Sequence, residues 1–213
     1  MSSPPAPKTT QTTTALSVGD FLSSDLEFDT IYDERTRELS TQHWTPIQVA
    51  ARAATLLTQL GATRILDIGS GAGKFCIVGA LSTGAHFLGV ERRQHLVQIA
   101  SDVASRLGAA RATFVQADVA TFSFDGFDGV YLYNPFYEQI SRLIQPIDAT
   151  LERSEDAYWH FVERTTEKLA AMAAPVAVVT FNGFGGTMPH GFTYLGDEPA
   201  GNDRLEMWLK LMR

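Results

Sequence analysis

The chain carries a single cysteine in 213 residues, Cys76, so it can form no internal disulfide and cannot gather thiolates around a metal. Cys76 falls in an apolar run, where buried packing is its expected role and no metal cluster is readable. Positive charge is also scarce. Seventeen Lys and Arg stand against 24 Asp and Glu, a net charge of −7, whereas a broad phosphate-binding surface needs the opposite balance. Nucleic acid is therefore disfavoured as a partner. No apolar segment is long enough to span a bilayer, and the first residues have neither the apolar core of a secretory signal nor the repeated arginines of a transit peptide. The expectation is a cytoplasmic protein with no membrane partner.

What the chain does have is 45% hydrophobic residues, enough for one substantial core. Residues 1–17, rich in Thr, Ser and Pro, are expected to be a disordered tail, and residues 18–45 a helical extension outside the central sheet. Pro46 suits a first helical turn capped by Thr45, and Val49, Ala53, Leu56, Leu57 and Leu60 then recur at helical spacing until Gly61. Beyond it strand and helix patterns alternate. Gln94 to Leu107 reads as helix, Phe127 to Tyr133 as strand, Ser154 to Ala173 as a long amphipathic helix, and Pro175 to Phe181 as strand, which predicts a parallel sheet with helices on both faces. In the long helix the stripe of Tyr158, Phe161, Val162, Leu169 and Met172 is expected to be core. Two further strand-like runs, Phe192 to Leu195 and Leu205 to Leu211, follow a glycine-rich loop and suggest a hairpin.

The most informative segment is the apolar run Ile65 to Ile68, which breaks into Gly69-Ser70-Gly71-Ala72-Gly73-Lys74. Alternate glycines let backbone approach a ligand, and a helix starting at the turn aims its free amides at the same place. The spacing discriminates among ligands. A phosphate-cradling loop needs Gly, four residues, then Gly-Lys-Ser/Thr; Ile68 occupies the first glycine's place and Phe75 that of the hydroxyl. A dinucleotide fingerprint would put its third glycine on Lys74. What remains is Asp67 followed by Gly-x-Gly-x-Gly, then Glu91 at the end of a second apolar run and Ala117-Asp118-Val119 after a third.

In this order the motifs resemble those of the class I, Rossmann-like S-adenosylmethionine-dependent methyltransferases. The resemblance implies a doubly wound, mostly parallel seven-stranded α/β sheet with an antiparallel C-terminal strand, residues 46–213 forming the methyltransferase domain, and S-adenosyl-L-methionine as cofactor. It implies that Asp67, Gly69, Ser70, Gly71 and Gly73 cradle the cofactor, that Glu91 accepts both ribose hydroxyls, and that Asp118 and Val119 meet the adenine. The fourth strand ends in Asn134-Pro135-Phe136-Tyr137, which resembles the Asn/Asp-Pro-Pro-aromatic motif of amino-methyltransferases, with Phe136 in place of the second proline. There Asn134 and the Pro135 carbonyl would hold an acceptor amine, Tyr137 would stack on it or wall its channel, and Asn134 would also face the cofactor. His43-Trp44-Thr45-Pro46 resembles the segment that approaches the methionine end of the cofactor, and Glu138 and His43 are candidates to assist deprotonation. The implied partner is a protein or small-molecule methyl acceptor. A nicotinamide-dependent oxidoreductase and a non-catalytic cofactor-binding module of the same fold stay open at this level.

Overall fold

The computed structural model describes residues 24–148 and 153–212, so the tail expected over 1–17 lies outside the described residues. Seven strands form one sheet in the order β3-β2-β1-β4-β5-β7-β6: β1 (Arg64–Ile68), β2 (His86–Glu91), β3 (Ala112–Gln116), β4 (Gly129–Tyr133), β5 (Val176–Phe181), β6 (Phe192–Ala200) and β7 (Asp203–Lys210). The first five run parallel, and β7 lies antiparallel to both β5 and β6. This is the expected Rossmann-like, doubly wound arrangement with its antiparallel C-terminal strand. The central strands read as unbroken apolar runs because both faces are covered: every residue of β5 is buried, as are four of five in β1 and in β4.

The two faces are covered by different means. On one, α3 (Ile47–Gln59), α4 (Lys74–Ser82) and α5 (Gln94–Arg106) contribute Ile47, Leu57, Ile77 and Leu96 to a single cluster. On the other, α6 (Glu155–Ala171) places Tyr158, Val162 and Leu169 against Leu66, Val130 and Val178. Beside α6 the irregular segment between β3 and β4 supplies Val119 and Phe124 where a crossover helix would otherwise sit. No helix occurs between β5 and β6 either, where the chain is glycine-rich.

Local chemistry accounts for the boundaries. Ser154 caps α6 by accepting from the Ala157 amide, with Glu155 and Asp156 in the positive first turn. The start of α3 departs from expectation. Pro46 itself is the capping residue, and the Ile47 amide is satisfied by Asp25 at 3.0 Å; the Thr45 hydroxyl is turned inward to Tyr131. The hairpin is longer than the apolar runs suggest, because β6 continues through Asp197, Glu198 and Pro199 to a tight turn at Gly201 and Asn202. Proline is tolerated there since β6 is an edge strand with one side unpaired.

Ahead of the sheet, α1 (Asp25–Phe28), a 3-10 turn (Asp29–Ile31) and α2 (Glu34–His43) pack Phe28, Ile31, Tyr32 and Leu39 into the same cluster as α3 and α4. Lys74, at the first position of α4, is only 2% exposed and is held by Asp25, Asp29 and Ser40, while the Tyr32 hydroxyl donates to the Ala72 carbonyl. The segment before the sheet thus braces the glycine turn from behind.

Gly73 caps α4 with φ +83°, and a Cβ there would lie 2.6 Å from the Phe114 ring and 2.7 Å from Ala100. Gly73→Ala should therefore lower stability by about 2–4 kcal/mol, combining the left-handed penalty with overpacking. Urea denaturation of the two proteins measures it.

Candidate functional site

The C-terminal ends of β1, β2 and β4 open into a cleft, where loops of a parallel sheet place ligand contacts. It has two chambers. The smaller, about 50 Å³, is lined by Asp118, Val119, Ala117, Phe136 and Phe161; the larger, about 360 Å³, by His43, Trp44, Gly71, Tyr133, Asn134, Tyr137 and Asn182. Gly69, Glu91, Arg93, Pro135 and Glu138 border both.

The glycine turn is shaped by what approaches it. Gly69 has φ +75°, and both its amide and that of Ser70 donate to the Val90 carbonyl, which ties the turn to the end of β2. A Cβ on Gly71 would fall 2.6 Å from the Trp44 indole nitrogen, and one on Gly69 would lie 3.1 Å from Pro135. Those two glycines admit the walls of the cleft. Gly73 instead faces the α5 and β3 side chains, so its role is packing.

Glu91 is 4% exposed and not free. Its Oε2 accepts from the Gly71 amide at 3.2 Å, and Oε1 accepts from the Arg93 amide at 2.9 Å and its guanidinium at 3.2 Å. Arg93 bridges on to Glu138, whose other oxygen takes the Ile147 amide at 2.9 Å. A continuous chain of charge and hydrogen bonds therefore crosses the boundary between the chambers. The expected grip of Glu91 on two ribose hydroxyls needs Arg93 to yield Oε1, because that oxygen already accepts twice. The Arg93 Nε and the Trp44 indole N–H are buried without a partner, and both side chains border the larger chamber.

Other expected site residues stand elsewhere. Asp67 is 4% exposed and lies beneath the turn, accepting from the Cys76 thiol at 3.4 Å; burial, with Glu91 adding to it, pushes its pKa up to about 7. Thr45, bonded to the Tyr131 hydroxyl, and Ser70, whose hydroxyl is buried without a partner, flank the same small space under the turn. None of these three borders the two chambers. Asp118 caps its own turn through the Ala120 amide and still lines the smaller chamber. Phe136 is buried and stacks on Phe161 with ring centroids 5.5 Å apart. Phe161 was expected to serve only as core, yet it is half-buried and walls that chamber.

Asn134 has φ +36° and Asn182 φ +59°, at the ends of the neighbouring strands β4 and β5, and both border the larger chamber. The Asn134 amide donates to the Gly183 carbonyl at 2.8 Å, which joins the two strand ends. Asparagine tolerates this conformation better than other side chains, so the turns expose polar groups at modest strain. Asn182, Tyr133 and Arg93 escaped the sequence reading. The usable signal was the rule that ligands meet the carboxyl ends of parallel strands, applied to β5 as it was to β4. Among the described residues no group of His, Cys, Asp and Glu gathers to hold a metal. Nor is any described helix long and apolar enough to cross a membrane.

Residues 60–157 match the family model described as a methyltransferase domain. None of the curated proteins compared matches the chain in sequence. Among solved structures, an RNA methyltransferase from Salinibacter ruber in complex with S-adenosyl-L-homocysteine is 20% identical, with a TM-score of 0.56 over 79% of this chain and 94% of that one. TrmN from Thermus thermophilus is 16% identical, with a TM-score of 0.55 over 84% of this chain and 52% of that one. The mitomycin 7-O-methyltransferase MmcR is 15% identical, with a TM-score of 0.56 over 88% and 61%. At such identities the structures speak for the fold. The family match and the S-adenosyl-L-homocysteine held by one of these neighbours support S-adenosylmethionine as the cofactor. The cleft offers it a carboxylate at the end of β2 and a wall on which Gly69 and Gly71 put no side chain.

Two consequences are measurable. Removing the Arg93 guanidinium leaves Glu91 and Glu138 as buried, unpaired carboxylates, so Arg93→Ala should cost about 3–5 kcal/mol of stability in chemical denaturation. Asp67 works in the other direction. Its folded pKa of about 7 exceeds its unfolded value, so the native state holds a proton that the unfolded chain loses, and stability falls as pH rises from about 4 to 7. Asp67→Asn should remove that part of the slope in thermal melts recorded from pH 4 to pH 8.

Proposed function

We propose that the chain is an S-adenosylmethionine-dependent methyltransferase that transfers its methyl group to an amine or amide nitrogen, carried on a protein side chain or a small molecule. The observation that carries the reading is Asn134-Pro135 at the end of β4, bordering the same chamber as the glycine turn, with Asn134 held in a left-handed conformation by the Gly183 carbonyl.

Methyl transfer from a sulfonium needs a nitrogen lone pair aligned with the bond that breaks. Two acceptors on the amine hydrogens would hold it so, and the Asn134 side-chain oxygen and the Pro135 carbonyl are suited to that work. Proline fixes its own φ and has no N–H, so its turn presents a carbonyl without a competing donor. Tyr137, 38% exposed at the rim, offers a face on which a planar group can stack. Positioning of this kind can supply about 7–11 kcal/mol of barrier reduction.

The cofactor reading follows the chambers. Asp118, Val119 and Phe136 would enclose the adenine, Glu91 the ribose, and Gly69, Gly71 and Trp44 the methionine end. Asp67, Ser70, Thr45 and Gly73 would act indirectly, by holding the turn in shape. A nitrogen that is neutral at physiological pH is favoured, since an alkylammonium near pKa 10.4 would first spend about 4–5 kcal/mol on losing its proton.

The test separates binding from transfer. Glu91→Ala should abolish S-adenosylhomocysteine binding in calorimetry. Asn134→Ala should bind it within a few-fold of wild type and yet label a cell extract at least ten-fold more slowly from labelled S-adenosylmethionine. Equal loss of binding in both variants contradicts the division of roles, and label recovered on oxygen or carbon contradicts the nitrogen acceptor.

A further inference from the structure

His43 is the last residue of α2 and borders the larger chamber together with Asn134, Pro135 and Tyr137. Its Nε2 lies 2.8 Å from the Gln145 carbonyl oxygen. A carbonyl can only accept, so Nε2 carries the hydrogen, and the neutral ring keeps an unprotonated Nδ1. The ring is thus oriented by a backbone group, the arrangement that fixes the tautomer of a histidine base. We propose that His43 is the general base of the transfer, receiving on Nδ1 the proton that the acceptor nitrogen sheds.

This rests on the nitrogen-transfer reading above. As the nitrogen lone pair bonds to the methyl carbon, the carbon–sulfur bond breaks and its electron pair stays with sulfur; the N–H proton passes to Nδ1, and the imidazolium later releases it to water. Atoms and charge balance without a further reactant.

The surroundings keep the base in its working form. Burial holds the pKa of His43 below the usual histidine value; the Gln145 carbonyl and Glu138 on the turn after β4 pull it up, and Arg93 beyond β2 pushes it down. Glu91, the remaining acid on the chamber wall, is engaged by Arg93 and the Gly71 amide. His43 is therefore neutral at neutral pH. Such a base matches a carboxamide or aromatic amine, whose nitrogen becomes acidic only as the methyl arrives. Taking a proton from an alkylammonium would run uphill by about four orders of magnitude. Glu138 is the other acid near the nitrogen, but both its oxygens are occupied, by Arg93 and the Ile147 amide.

The test uses the full chain, labelled S-adenosylmethionine and a cell extract as the source of acceptor. His43→Gln retains a donor for the Gln145 carbonyl while removing the base. It should bind S-adenosylhomocysteine within two-fold of wild type and label the extract about 10²-fold more slowly. The wild-type rate should rise with pH to a plateau with a midpoint below 6.5, and the variant should lack that inflection. Added imidazole should restore much of the rate to His43→Ala. A variant with wild-type rate and pH profile, or a His43→Ala that binds S-adenosylhomocysteine and ignores imidazole, overturns the assignment. Label found on lysine also overturns it. A wild-type protein that labels nothing fails earlier and defeats the transfer reading itself.

Discussion

The site depends on one buried chain of charge: the Gly71 amide on Glu91, Glu91 on Arg93, Arg93 on Glu138, and Glu138 on the Ile147 amide. Each side chain in it is at most 10% exposed, so none is stable there alone, and the desolvation of each is offset only by its neighbours. The chain joins four pieces of sequence that share no local contact: the glycine turn, the end of β2, the turn after β4, and the loop before α6. Removing it would leave the walls of the two chambers without a fixed separation.

The same economy appears behind the turn. Lys74 follows the last glycine of the motif and invites a phosphate-binding reading, but its ammonium is turned away from the cleft and consumed by Asp25, Asp29 and Ser40. Its charge fastens the segment before the sheet. That segment in turn delivers Trp44 against Gly71 and His43 to the chamber wall, so brace and cleft wall are one continuous stretch. The missing crossover helices have a related effect. With only irregular chain between β5 and β6, Asn182 is free to turn beside Asn134.

Much of the fold was legible because its signals are local. The cap at Ser154, the stop at Gly61 and the apolar runs of β1, β4 and β5 each depend on a few adjacent residues. The hairpin was underestimated because Asp197, Glu198 and Pro199 look like loop, and only their place on an unpaired edge makes them strand. Thr45 shows the converse: its sequence suits a cap, yet the buried Tyr131 hydroxyl, far along the chain, claims it.

The site divides along the same line. Glycine spacing followed by Glu91 and Asp118 pointed to a methyl donor from sequence, because backbone clearance and a carboxylate at a strand end are properties of short segments. Which of those residues face the cleft was decided by tertiary structure: Asp67 and Gly73 turn toward packing, while Arg93, Tyr133, Asn182 and Phe161 turn toward the chambers. A one-dimensional pattern records which residue types are present and at what spacing. The direction of a side chain, and the distant partner that holds it there, exist only once the strand ends have been brought together.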